Sequence, residues 1–113
     1  MKTKSEIYQI ENELEWTNPS PGIKRQIMGY DGQIMIVKVD FETGAIGTQH
    51  QHYHSQATYV DSGVFELNIK GEKKILKHGD GYYVEPDATH GCICLEAGRL
   101  IDVFSPMRQD FLN

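Results

Sequence analysis

Positive charge is scarce in this sequence. Its 113 residues carry eleven Lys and Arg against sixteen Asp and Glu, a formal charge of −5. The cations are scattered, with Lys24-Arg25 and Lys73-Lys74 as the only adjacent pairs. A phosphate backbone calls for a basic patch, so the charge argues against nucleic acid as a partner. Long apolar runs are absent too, and none approaches the length that spans a bilayer, so no membrane partner is expected. After Lys2 and Lys4 the N-terminus carries Glu6, Glu11, Glu13 and Glu15 where a secretory signal needs an apolar core. The expected compartment is the cytosol. Only two cysteines occur, Cys92 and Cys94. Two apart on a strand pattern, they share a face, are poorly placed to bond each other, and read as small buried apolar residues. No Gly-rich phosphate loop, long helical pattern, linker or fixed-period repeat is present, which leaves one domain.

What is present is β pattern. Residues 1–22 read as an N-terminal arm or short helix: Ile7, Ile10 and Leu14 have helical spacing, but Asn18-Pro19-Ser20-Pro21-Gly22 breaks it. Trp16 reads as a core or edge anchor. From residue 23 to residue 113 the chain reads as a β-barrel. Residues 23–28 and 33–41 are strands around a turn at Tyr30-Asp31-Gly32. The stretch 50–54 follows, then 57–60. Residues 64–70 alternate, with Phe65, Leu67 and Ile69 inward and Glu66, Asn68 and Lys70 outward. Further strands cover 74–77, 82–84, 91–95 and 100–104, and residues 105–113 form a short helix or turn over one end. Short strands separated by Gly and Asp turns indicate an all-β sandwich or barrel.

The chemistry gathers between Gly44 and Gly63. His50, His52 and His54 alternate there, and side chains two apart on a strand point to one face. A His-x-His pair with one further donor is half of a metal site. Gln56 lies four residues beyond His52, and His90 in Pro86-Asp87-Ala88-Thr89-His90-Gly91 is the candidate for the remaining ligand. His54 shares the strand parity of His50 and His52 and competes with Gln56. His78 falls in a Gly-Asp turn and reads as an exposed loop residue.

Gly44, His50-x-His52, Gln56 and Gly63 together resemble the first cupin motif, with Gln56 where Glu is usual. Gly79-Asp80 and His90 are similar to the second. Glu85 stands where proline is usual, with Pro86 just after it; Asp87 replaces a glycine and Cys94 an asparagine. These departures touch the turn and not the ligand. The resemblance implies an all-β, single-domain cupin: a double-stranded β-helix, or jelly-roll, barrel. It also implies one divalent metal ion held by His50, His52, Gln56 and His90, the family spacing favouring Gln56 over His54. Three neutral imidazoles and a neutral amide leave the dication charge uncompensated, which suits a Lewis acid acting on an anionic, oxygen-bearing substrate. Ni, Zn, Fe, Mn and Co all tolerate such a site.

The ending is narrower. Leu95-Glu96-Ala97-Gly98 and the run from Asp102 through Phe104, Pro106, Met107 and Arg108 to Leu112 resemble the small pectin-degradation cupins called KdgF, as does Gly22-Ile23-Lys24-Arg25. That resemblance implies an enzyme of uronate and carbohydrate catabolism. Its small-molecule substrate is a 4,5-unsaturated monouronate from pectin or alginate, opened and ketonised to the linear keto uronate. It places Asp102, Phe104 and Arg108 in the active site: Asp102 to move a proton, Arg108 to pair with the carboxylate, Phe104 to pack on the sugar. Small cupins commonly pair, so a homodimer is expected. The rival readings are another metal cupin enzyme (a dioxygenase or sugar isomerase) and a non-catalytic sugar-binding cupin.

Overall fold

Strands make up most of the computed structural model, which describes residues 2–112. In chain order they are β1 (Thr17–Ser20), β2 (Ile23–Asp31), β3 (Ile34–Phe41), β4 (Ile46–His50) and β5 (Ser55–Val60). Then come β6 (Val64–Ile69), β7 (Glu72–Lys77), β8 (Gly81–Val84), β9 (His90–Glu96) and β10 (Gly98–Ser105). They form a six-stranded sheet, β1-β2-β3-β10-β5-β8, and a four-stranded sheet, β4-β9-β6-β7, with antiparallel pairing throughout. This is the all-β barrel that the turn spacing predicts, in the jelly-roll form that the cupin resemblance implies. Among the described residues no helix is long and apolar enough to cross a membrane.

The core lies between the sheets. Met35, Val37, Val39 and Phe41 of β3 are buried, and Phe41 meets Phe65 of β6 edge-on across the interior at 5.2 Å between ring centroids. Cys92 and Cys94 are free and buried, as the sequence predicts. The six-stranded sheet carries a polar block on its inner face. Cross-strand register aligns Tyr82, Thr58, Asp102 and Val37 in one row and Val84, Gln56, Phe104 and Met35 in the next. Polar side chains at inward positions need partners or a solvent-filled space.

The N-terminal part carries one helical turn and one edge strand. Helical spacing over Ile7, Ile10 and Leu14 produces only one 3-10 turn, Glu11–Glu13. The first part of the proline-rich breaker, Asn18-Pro19-Ser20, lies in a strand, β1, at the sheet edge, where a missing N–H costs no ladder bond, and Pro21-Gly22 form the turn to β2. Between the two, the arm covers the outer face of β2. Gln26 is fully buried there and donates its amide to the carbonyls of Glu11 (2.9 Å) and Leu14 (3.3 Å). Glu11 pairs with Lys38, Arg99 pairs with Asp40 at 2.6 Å, and Trp16 lies under Lys24 as an edge anchor.

Candidate metal centre and its cavity

The histidines converge, but not by strand alternation. β4 ends at His50, so residues 51–54 lie in the connection to β5, contrary to the expectation of one continuous extended stretch. The ladder ends there because β9, the partner of β4, begins at His90, directly opposite His50. His52 is then placed by its backbone: its carbonyl accepts the N–H of Asp87 at 2.8 Å. Asp87 adopts φ 65°, a left-handed conformation that glycine takes freely and Asp tolerates. The ring centroids of His50 and His90 are 4.3 Å apart, those of His52 and His90 4.9 Å, and those of His50 and His52 5.6 Å. One nitrogen from each of the three lies within 4.8 Å of the others. His54 does not join this group; it is buried and stacked on Tyr53 at 4.0 Å.

Hydrogen bonding fixes which nitrogens face the centre. Nδ1 of His50 meets the Thr48 carbonyl at 2.8 Å, Nδ1 of His52 the His54 carbonyl at 3.1 Å, and Nδ1 of His90 the Ala88 carbonyl at 2.9 Å. A carbonyl only accepts, so each Nδ1 carries the proton and each neutral ring keeps its lone pair on Nε2. Burial lowers the pKa of His52 and lowers that of His90 to about 4, which keeps both rings neutral. Nε2 of His90 is buried with no protein partner. Gln56 is oriented as firmly. Its amide nitrogen donates to Thr58 Oγ1 at 3.0 Å and to Asp102 Oδ1 at 3.4 Å, turning Oε1 toward His52 Nε2 at 3.0 Å. Two lone pairs therefore face each other, an arrangement that a shared cation reconciles. His50, His52, Gln56 and His90 fit a divalent metal ion of the N/O-preferring class.

Of the seven residues expected in the site, His50, Gln56, His90, Asp102, Phe104 and Arg108 line one cavity of about 390 Å³, and His52 adjoins it through Phe104 at 5.7 Å. Asp102 accepts the Thr58 hydroxyl at 2.6 Å. Burial raises its pKa to about 6, while Thr58 and the Arg108 charge hold it down. Arg108 stacks on Phe104 and Phe111, and its Nε and Nη2 form a fork to Asp110 at 3.1 and 2.9 Å. The fork expected to meet a ligand carboxylate thus holds one from its own chain.

Tyr82, Cys92 and Arg25 also line the cavity, and Thr58 lies behind Asp102; the sequence reading assigned none of them a place in the site. Parity was the available signal, since Thr58 is two residues from Gln56 and Arg25 lies between Ile23 and Ile27. Burial raises the Tyr82 phenol well above its usual range, with the Asp102 charge adding to it. A larger groove of about 700 Å³, lined by Asn18, Lys24, Asp40 and Glu42 among others, shares none of the expected residues.

Residues 37–104 match the Cupin domain family. The pectin degradation protein KdgF of Dickeya dadantii (strain 3937) is 49% identical over 107 residues, covering 93% of this chain and 97% of that protein. Among solved structures, an RmlC-like cupin from Shewanella frigidimarina NCIMB 400 superposes with a TM-score of 0.95 at 41% identity, over 97% of this chain and 99% of the other. KdgF from Halomonas sp. superposes with a TM-score of 0.89 at 39% identity, over 95% and 99%.

Proposed function

The chain belongs to the cupin family and, within it, to the KdgF proteins of pectin degradation, and from that premise we propose that it opens and ketonises a 4,5-unsaturated monouronate. The substrate ring carries a double bond between C4 and C5, the C6 carboxylate on C5, and a hemiacetal at C1. Breaking the bond from C1 to the ring oxygen leaves an aldehyde at C1 and an enol at C5. A proton added at C4 converts that enol to the ketone, and the hydroxyl proton lost from C1 balances it.

A divalent ion (Ni, Zn, Fe, Mn or Co) held by His50, His52, Gln56 and His90 would supply Lewis acidity for the negative charge that develops on oxygen. The proton work falls to Asp102. Its Oδ1 is held by Thr58 and Gln56, which leaves Oδ2 for the substrate. Burial favours its protonated form while Thr58, Arg108 and Gln56 favour its carboxylate, opposing pulls that suit a residue which takes the C1 hydroxyl proton and returns one to C4. Phe104 gives the sugar an apolar wall, and Arg108, stacked between Phe104 and Phe111, brings positive charge toward an anionic ligand.

The observation that carries this reading is the carboxyl of Asp102, held by Thr58, in one cavity with the converging imidazoles. The test mixes purified protein with an unsaturated monouronate and follows the ultraviolet absorbance of the conjugated double bond. Accelerated loss is expected, abolished by a chelator and by Asp102→Ala. Decay at the rate of buffer alone, or binding without turnover, overturns the proposal.

A further inference from the structure

Arg25 sits where a core residue belongs. On β2 it occupies the inward position between Ile23, which is buried, and Ile27, which packs against the core. Its guanidinium carbon lies 3.7 Å from the centroid of Phe111, and that of Arg108 lies 4.2 Å from the same ring. The two cations therefore share one aromatic platform at the cavity wall. Their partners differ. Arg108 is held by Asp110 through two of its nitrogens. Arg25 makes no ion pair with any carboxylate among the described residues, and its Nε is buried without an acceptor. Burial and the neighbouring Arg108 work against its charge, and Asp110, which Arg108 already holds, supports it only through space. A guanidinium stays protonated in proteins all the same, so an unpaired one beside a like charge is poised for an anion. Two cations against one carboxylate around Phe111 leave that wall positive.

The geometry points to Arg25 as the residue that selects a sugar carboxylate over a neutral sugar, with Arg108, tied to Asp110, forming the fixed wall beside it. This deepens the uronate reading and rests on it for the turnover arm of the test. Uniform binding of an anion shows in KM and not in kcat. Arg25→Gln is expected to raise KM for the unsaturated monouronate by about tenfold to a hundredfold, the range of a charge-assisted pair, with kcat changed less than about threefold. Arg25→Lys, which keeps the charge but not the planar fork, is expected to recover part of the loss.

A binding arm needs no chemistry. Calorimetric or NMR titration with D-galacturonate and with D-galactose is expected to show that the wild type prefers the acid and that Arg25→Gln abolishes the preference. A folded Arg25→Gln protein with unchanged KM and unchanged galacturonate affinity overturns the inference, as does an equal loss for both sugars. If the wild type fails to turn over the unsaturated sugar while Arg25→Gln still loses galacturonate, the proposed reaction fails and the carboxylate subsite stands.

Discussion

Removing one imidazole from the centre is expected to erase the stabilisation that a metal ion brings, with a far smaller effect on the metal-free fold. The three rings are oriented by backbone carbonyls before any ion arrives, so binding spends little on ordering them. An ion at a hundredfold excess over its Kd stabilises the folded state by about 2.7 kcal/mol. For a domain of this size, that is a rise in Tm of about 10 °C. His90→Ala deletes one of three nitrogen ligands. A hundredfold loss of affinity brings the same ion concentration to about its Kd, where the stabilisation falls to about 0.4 kcal/mol, or about 2 °C. In the metal-free protein two effects of His90→Ala oppose each other. A buried Nε2 without a partner costs about 1–3 kcal/mol and is removed, while the space left by the ring costs a similar amount. Thermal unfolding of chelator-treated wild type, His90→Ala and His78→Ala, each with and without Zn or Ni, measures this. His78 is an exposed ring bonded to the Asp61 carbonyl, and its variant keeps the full metal shift. Equal shifts in all three proteins, or none in the wild type at any ion concentration, refute the reasoning.

Asp102→Asn keeps an acceptor for Thr58 but cannot move a proton, so kcat/KM for the unsaturated uronate is expected to fall about 10²–10⁴-fold with the thermal stability little changed; steady-state kinetics with wild-type rates would remove Asp102 from the chemistry. Gly91→Ala places a methyl 2.7 Å from the Gly47 carbonyl oxygen and 3.0 Å from the Gln49 backbone nitrogen, neither of which yields like a side chain. That forces β9 from β4 beside His90 and His50, costing about 1–3 kcal/mol in denaturant unfolding and weakening metal binding; an unaltered midpoint and affinity would contradict it. Burial pushes the Cys92 thiol up to about 12, and only the thiolate is alkylated. Its modification by iodoacetamide at pH 8, read by mass spectrometry, is expected to be about a thousandfold slower than that of free cysteine and to rise tenfold per pH unit up to about pH 11, whereas a plateau near the ordinary thiol pKa of about 8.5 would refute the burial argument.

The barrel was legible because alternation is local. Phe65 and Leu67 of β6 face the core as their spacing dictates. The metal-ligand candidates were legible through spacing between distant segments, but strand parity does not account for His50 and His52 together: it ends at His50, opposite His90 where β9 begins. Parity also favoured His54 equally, and only three-dimensional placement separates it from the cluster. What stayed hidden depends on register and edges. Asn18-Pro19-Ser20-Pro21 reads as a breaker unless an edge strand is known to need one there. The row Tyr82, Thr58, Asp102 exists only once β8, β5 and β10 are aligned. Arg108 looked free for a ligand because its fork to Asp110 depends on the closing turn of the tail. Arg25 was visible as a cation at an inward position, but a single charge in an apolar alternation carries no meaning until the cavity beneath it is seen.

Proton NMR of an unsaturated monouronate mixed with the metal-loaded protein in deuterium oxide tests the central claim most directly. The account predicts loss of the C4 vinyl proton faster than in buffer, and a linear product with a C5 ketone and one solvent deuteron at C4, at a rate proportional to protein. Consumption at the buffer rate, or a product whose C4 carries no deuterium, contradicts it.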